Sequence, residues 1–130
     1  FNVSENRWKP LQPHPQVSWC AGVVVSTGTQ CLYALGGTCQ GRLLNTIQRL
    51  SLIKLEWDVM PLRLPCEQTN IACFKLGEFS VGLVLGKNLY AFDTLSESLA
   101  PLKEIDDNIC SYYGASYYSS GYLYTSNYVG

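Results

Sequence analysis

The sequence predicts an all-β protein of antiparallel strands, and three observations carry that prediction. Apolar side chains alternate over short runs rich in Val, Ile, Leu, Tyr and Phe. Turn residues separate these runs at intervals of about ten residues. No stretch keeps a 3.6-residue apolar stripe between an N-cap and a closing glycine.

In chain order, the expected strands are Gly22 to Val25, Gln30 to Leu35, Thr46 to Leu52, Phe79 to Leu85, Asn88 to Phe92 and Gly121 to Thr125. The turns between them are marked by Thr27-Gly28-Thr29, Gly36-Gly37, Gly41, Gly77-Glu78, Gly86-Lys87-Asn88 and Ser119-Ser120-Gly121. The region from Leu43 to Leu55, with Asn45 as a candidate cap, comes nearest to a helix. Its β-branched residues favour a strand instead.

Composition bounds the function. A chain of 130 residues with 47% apolar and 15% charged residues is long enough for one core and too apolar for disorder. A net charge of −1, with nine scattered basic residues, offers no electrostatic footprint for nucleic acid or an anionic membrane. No apolar run approaches the roughly 20 residues that span a bilayer. No leader is read at the N-terminus, and the strand-like ends give the chain the look of a piece of something longer.

Six cysteines (Cys20, Cys31, Cys39, Cys66, Cys73 and Cys110) could form three bridges, but four of them lie in or beside apolar runs. There a free thiol behaves as a small hydrophobe, so free cysteines in a reducing, cytoplasmic setting are expected. There is no CxxC motif, and the single histidine, His14, stands between two prolines, which disfavours a zinc site.

A repeat narrows the all-β options of sandwich, barrel and propeller. Leu50 is followed seven positions later by Trp57 and then by Pro61-Leu62; Phe92 is followed seven positions later by Leu99 and then by Pro101-Leu102. Trp8-Lys9-Pro10-Leu11 repeats the second half of the pattern. The spacing is 49 residues from Trp8 to Trp57 and 42 from Trp57 to Leu99, a period in the range of propeller blades. The opening halves also recur: Gly22 with Leu32-Tyr33-Ala34-Leu35, then Gly114 with Leu123-Tyr124-Thr125-Ser126.

With its double glycine at Gly36-Gly37, and Leu50, Trp57 and Pro61 downstream, the chain resembles the kelch-repeat family. The units are divergent: Leu50 stands where Tyr is usual, Leu99 where Trp is usual, and the later units lack the double glycine. The resemblance implies four-stranded antiparallel blades of a β-propeller, part of a larger one. On this reading residues 1–16 end a preceding blade and carry a linker. Residues 17–65 form a kelch-like blade, 66–108 a second divergent one, and 109–130 the opening strands of a further blade. Gly36 and Gly37 are then expected to provide positive φ and close backbone approach, while Trp8, Leu50, Trp57, Phe92 and Leu99 are repeat positions, with Trp8, Trp57, Phe92 and Leu99 in the core.

Chemistry-bearing patterns are weak. Asp106-Asp107-Asn108 reads as a turn between units. His14 is the lone imidazole, so a Ser-His-Asp triad has no support. No phosphate loop is present, because no GxxxxGK[ST] occurs. No enzyme activity, metal or cofactor is expected. The unusual stretch is Tyr112 to Tyr128, where Tyr112, Tyr113, Tyr117, Tyr118, Tyr122 and Tyr124 form a candidate partner surface. Adjacent tyrosines in a strand must point to opposite faces.

The expected function is a non-catalytic protein–protein interaction module, a scaffold or adaptor, as the resemblance implies for cytoskeletal, ciliary and ubiquitin-ligase settings. The alternatives are a structural subunit whose open β edges dock or polymerise and, behind it, a propeller enzyme.

Overall fold

A computed structural model describes residues 1–13, 21–104 and 116–125. It is all-β with antiparallel sheets, and the described residues contain no helix. The first sheet has strand order β1 (Gly22–Ser26), β2 (Cys31–Leu35), β5 (Thr46–Ser51) and β6 (Trp57–Arg63). A small hairpin of β3 (Thr38–Cys39) and β4 (Arg42–Leu43) fills the connection from β2 to β5.

The second sheet is a meander of β7 (Ala72–Lys75), β8 (Ser80–Leu85), β9 (Asn88–Asp93) and β10 (Ser98–Glu104). A further hairpin joins β11 (Ser116–Ser119) to β12 (Tyr122–Thr125). Neither four-stranded sheet closes into a barrel.

The Leu43 to Leu55 region adopts strand rather than helix, as its β-branched residues require. The strands that alternation did not reveal are β3, β4, β6, β7, β10 and β11. Of these β6 and β10 are the last strands of their sheets, with largely exposed patterns. Both lose regular register near a proline. Pairing of β5 with β6 passes from Gln48 opposite Val59 to Thr46 opposite Arg63, around Pro61. Pairing of β9 with β10 shifts between Pro101 and Lys103. A proline donates no ladder hydrogen bond, and a bulge twists an edge away from further pairing. The repeated Pro-Leu of the sequence thus marks two blunted sheet edges.

The core lies between the two sheets. Val24, Tyr33, Leu35, Ile47 and Met60 from the first meet Val81, Leu83, Leu85 and Phe92 from the second. Tyr33 and Phe92 are both fully buried and pack edge to face, with ring centroids 5.3 Å apart. Burial of each such ring is worth about 1.5–3 kcal/mol, and the aromatic pair adds about 0.5–1.5 kcal/mol. Behind the second sheet, Ala72, Phe74 and Val84 form a smaller cluster. Gly82 is needed there because a Cβ would stand 2.3 Å from the Phe74 ring.

One expected core residue is corrected. Trp8 is 83% exposed, because residues 1–13 form only an isolated bridge between Asn2 and Arg7 and no strand of either sheet. Its ring packs edge on against that of Phe1, with centroids 5.3 Å apart. Trp57 is half-buried, and Leu99 is partly buried against the core that encloses Phe92.

Candidate interaction surface

The repeat positions acquire a common geometry. Leu50 lies directly opposite Trp57 across the β5–β6 hairpin, and Phe92 directly opposite Leu99 across the β9–β10 hairpin. The seven-residue spacing is therefore a hairpin spacing. Each hairpin turns through a residue with positive φ, Leu55 at 59° and Glu97 at 56°. Each loop is also held by the last residue of the strand before it. The backbone amide of Lys54 donates to Ser51 Oγ, and those of Leu95 and Ser96 donate to Asp93 Oδ1. These two donors hold the exposed Asp93 carboxyl below its ordinary pKa.

Gly36 and Gly37 end β2 with φ of 61° and 96°. A Cβ on Gly36 would stand 2.4 Å from the Gln68 carbonyl oxygen. Both properties of glycine are used here, the left-handed backbone and the absent side chain.

The approaching chain is itself a clamp. Gln68 accepts from the Gly37 amide at 2.8 Å through its backbone carbonyl, and its own amide donates to the Leu44 carbonyl at 3.2 Å. Its side chain accepts from the Gly86 amide at 2.7 Å and donates to the Val84 carbonyl at 3.4 Å. One residue thus ties the β2–β5 connection of the first sheet to the β8–β9 turn of the second.

The other end of the sheet pair is tied by hydroxyls. Ser26 and Thr94 are buried with oxygens 2.9 Å apart; Ser26 also reaches the Glu78 carbonyl at 2.8 Å, and Thr94 the Phe79 carbonyl at 3.0 Å. The two hydroxyl protons can make only two of these three bonds at a time, and the amides of Gly28 and Thr94 keep the same two carbonyls satisfied by donating to them at 2.7 Å each. Nearby, Arg49 makes a two-pronged ion pair with Asp58 on β6, 2.7 Å at its shorter arm, and reaches Glu97 of the second sheet at 2.6 Å. Asp58 and Glu97 hold the guanidinium pKa above its ordinary value.

A rim cleft of about 370 Å³ opens beside this network, lined by Thr29, Tyr33, Arg49, Lys54, Trp57 and Asp58 among others. Its arginine is already neutralised by two carboxylates, and the Tyr33 hydroxyl contacts that of Thr29 at 3.3 Å. Burial pushes the Tyr33 hydroxyl pKa up. The Arg49–Glu97 bond beside the cleft ties the two sheets. Gln68, Ser26, Thr94 and Arg49 carry no signature in the sequence, because each acts on residues distant in the chain.

Cys31, Cys39, Cys66 and Cys73 are free thiols. Cys73 packs at the core edge and donates to the Val23 carbonyl at 3.2 Å; burial pushes its thiol up to about 12. Among the described residues no three His, Cys, Asp or Glu side chains stand together as metal ligands. No helix among the described residues is long and apolar enough to cross a membrane. His14, Cys20, Cys110, Asp106, Asp107, Asn108, Tyr112 and Tyr113 lie outside the described residues.

The described part of the tyrosine tract is the β11–β12 hairpin. It turns through Ser120 and Gly121 with φ of 52° and 82°, a pair that reverses two strands directly. Tyr117 stands opposite Tyr124, and Tyr118 opposite Leu123. Tyr122 and Tyr124, two residues apart and so on one face, are 68% and 59% exposed. The hairpin sits beside the second sheet, with β11 against β7.

No protein-family model matches the chain, and no curated protein matches it either. The class of the molecule therefore rests on the fold itself: an all-β chain of antiparallel sheets.

Proposed function

We propose that the chain is a non-catalytic protein–protein interaction module built of kelch-like propeller blades, and that it binds a partner protein through the β11–β12 hairpin. The exposed Tyr122 and Tyr124 on one strand face carry this reading. Tyrosine gives large, rigid contact area at low entropic cost, and solvent-facing aromatics set side by side are typical of binding surfaces.

The blade reading is supported by three units in series. Two four-stranded sheets have the same strand connectivity apart from the β3–β4 insertion, and their first strands, β1 and β7, lie side by side. The first strand of the next hairpin, β11, lies beside β7 in turn. The prolines and bulges of β6 and β10 count against the alternative of open edges that polymerise, because both blunt strand addition. A cytoplasmic scaffold or adaptor role follows from the same reading.

The test places a photoreactive benzoylphenylalanine at Tyr122, with Lys103 on β10 as a control, in the full protein within its own cells. A discrete cross-linked protein at Tyr122 alone, lost in a Tyr124→Ser background whose thermal midpoint is unchanged, is the expected result. Equal labelling at both positions refutes the binding surface.

A further inference from the structure

The four hairpin loops at one end of the sheet pair are sewn into a continuous surface. The β1–β2 loop holds the β5–β6 loop, since the Leu52 amide donates to the Gln30 carbonyl at 2.9 Å. It also holds the β7–β8 loop, where the Gly28 amide donates to the Glu78 carbonyl at 2.7 Å, and the Thr94 amide joins the β9–β10 loop to the Phe79 carbonyl at 2.7 Å. Arg49 completes the circuit through its bond to Glu97.

Turn residues are ordinarily small or polar, yet these loops present aliphatic side chains to water. Ile53 and Leu95, each the second residue of its loop, are 72% and 70% exposed, and Leu52, Leu55 and Phe79 are exposed beside them. In the described connections at the opposite end, Leu43 is the one large apolar residue so exposed. Leu55 is the telling case. Its φ of 59° is left-handed, a conformation unfavourable for a residue with a Cβ, and its counterpart in the second sheet is Glu97, so the turn itself does not call for an apolar side chain. That side chain is 40% exposed, and folding recovers little for it. Backbone strain kept together with an exposed apolar group is a mark of binding surfaces.

Two further properties define the occupant. The loop backbone is already engaged: the amides of Lys54, Leu55, Leu95 and Ser96 donate within their own loops. A docking chain finds little here to pair with and must satisfy its own backbone, as a helix does. Carboxylates also predominate around the aliphatic tips. Glu56, Asp58, Glu78, Asp93 and Glu97 stand against Lys54, Lys75 and Arg49, and Arg49 is already held by two of them.

We propose that this end of the sheet pair is a docking surface for a basic amphipathic helix of a partner protein. The apolar stripe of the helix covers Ile53, Leu55 and Leu95, and its lysines or arginines face Glu78, Asp93 and Glu97. The helix spans the cleft of about 370 Å³ that the β5–β6 and β9–β10 loops both line. A helix laid on such a surface anchors through residues at i, i+3, i+4 and i+7. The same carboxylates repel an anionic lipid surface. This surface is a second one and does not depend on the tyrosine hairpin.

The test is fluorescence anisotropy of a labelled helical peptide of about 18 residues of leucine and lysine, with leucines at i, i+3, i+4 and i+7, titrated with the full protein. A peptide with glutamate in place of lysine is the control. The lysine peptide is expected to bind at least about tenfold more tightly than the glutamate peptide. The double variant Ile53→Ser, Leu95→Ser should lose at least about tenfold with an unchanged thermal midpoint, because both residues lie on the surface. Leu43→Ser and Tyr122→Ser should leave the affinity as it is. Leu55→Asn should raise the thermal midpoint, since asparagine tolerates the left-handed turn, and yet weaken the peptide. Equal binding of the two peptides overturns the proposal, and so does full affinity in the double variant. Loss of affinity in Leu43→Ser or Tyr122→Ser places the peptide elsewhere and overturns it too. Co-sedimentation with phosphatidylcholine vesicles that is lost in the double variant assigns the aliphatic tips to lipid instead.

Discussion

The two four-stranded sheets carry the same hairpins and the same cross-strand rows, yet they join their second and third strands differently. In the first sheet the connection from β2 to β5 runs from Gly36 to Asn45 and holds the β3–β4 hairpin; in the second, Gly86 and Lys87 suffice. The glycines show why. At Gly36 the Gln68 backbone passes within 2.4 Å of where a Cβ would be, whereas at Gly86 nothing lies within 4 Å. Both have positive φ, 61° and 58°. A glycine pair is thus required where another segment of the chain presses on the turn, and a single glycine where only the turn must be made.

Six substitutions test this comparison, beginning with the largest effect. Phe92→Ala empties the centre of the core, and a loss of about 3–5 kcal/mol is expected in denaturant unfolding. Its repeat partner on the first sheet is flanked by Trp57, which is half-buried, so Trp57→Ala should cost less, about 1–2 kcal/mol. Equal losses would mean that both faces are equally enclosed. Gly36→Ala combines a left-handed φ with a backbone clash and should cost more than about 2 kcal/mol, against about 1 kcal/mol for Gly86→Ala. The difference between the two midpoints is the quantity to read, and its absence would remove the role assigned to Gln68.

Next, Gln68→Ala strips the side-chain partner from the Gly86 amide, with an expected loss of about 1–2 kcal/mol. Hydrogen exchange should rise at Gly86 and leave the Ser26–Thr94 end unchanged; a uniform rise would mean that the clamp is not local. The smallest effect is expected from Glu97→Gln, under about 1 kcal/mol, since both Glu97 and Asp58 are exposed enough for solvent to screen them. That loss should vanish in 1 M salt, where the screening length falls to about 3 Å.

Much of the all-β character was legible in the sequence, because interior strands such as β2, β5, β8 and β9 carry apolar residues on at least one face. The outer strands were harder to read. Asp58, Pro61 and Arg63 in β6, like Pro101, Lys103 and Glu104 in β10, interrupt alternation on exposed edges. Strand β7 is short and its signal is only Ala72 and Phe74. Trp8 was misplaced for a related reason: a local Trp-Lys-Pro-Leu pattern says nothing about whether a strand partner is in reach. The tyrosine-rich tract stood out through composition alone. Gln68 was invisible, since a lone glutamine between strands has no period and its partner Gly86 lies 18 residues away.

The prolines at the outer edges also govern how safely the chain is made. During synthesis β5 and β9 emerge before the strands that cover them, so each sheet briefly shows an unprotected edge to neighbouring nascent chains. At about 5–20 residues per second, the span from Ser51 to Arg63 leaves the ribosome within about one to three seconds. Once β6 or β10 adds its bulge, that edge of the unit no longer templates pairing. At these outer edges a polysome crowded with copies of this chain is therefore vulnerable to strand exchange only in short intervals, one for each unit completed.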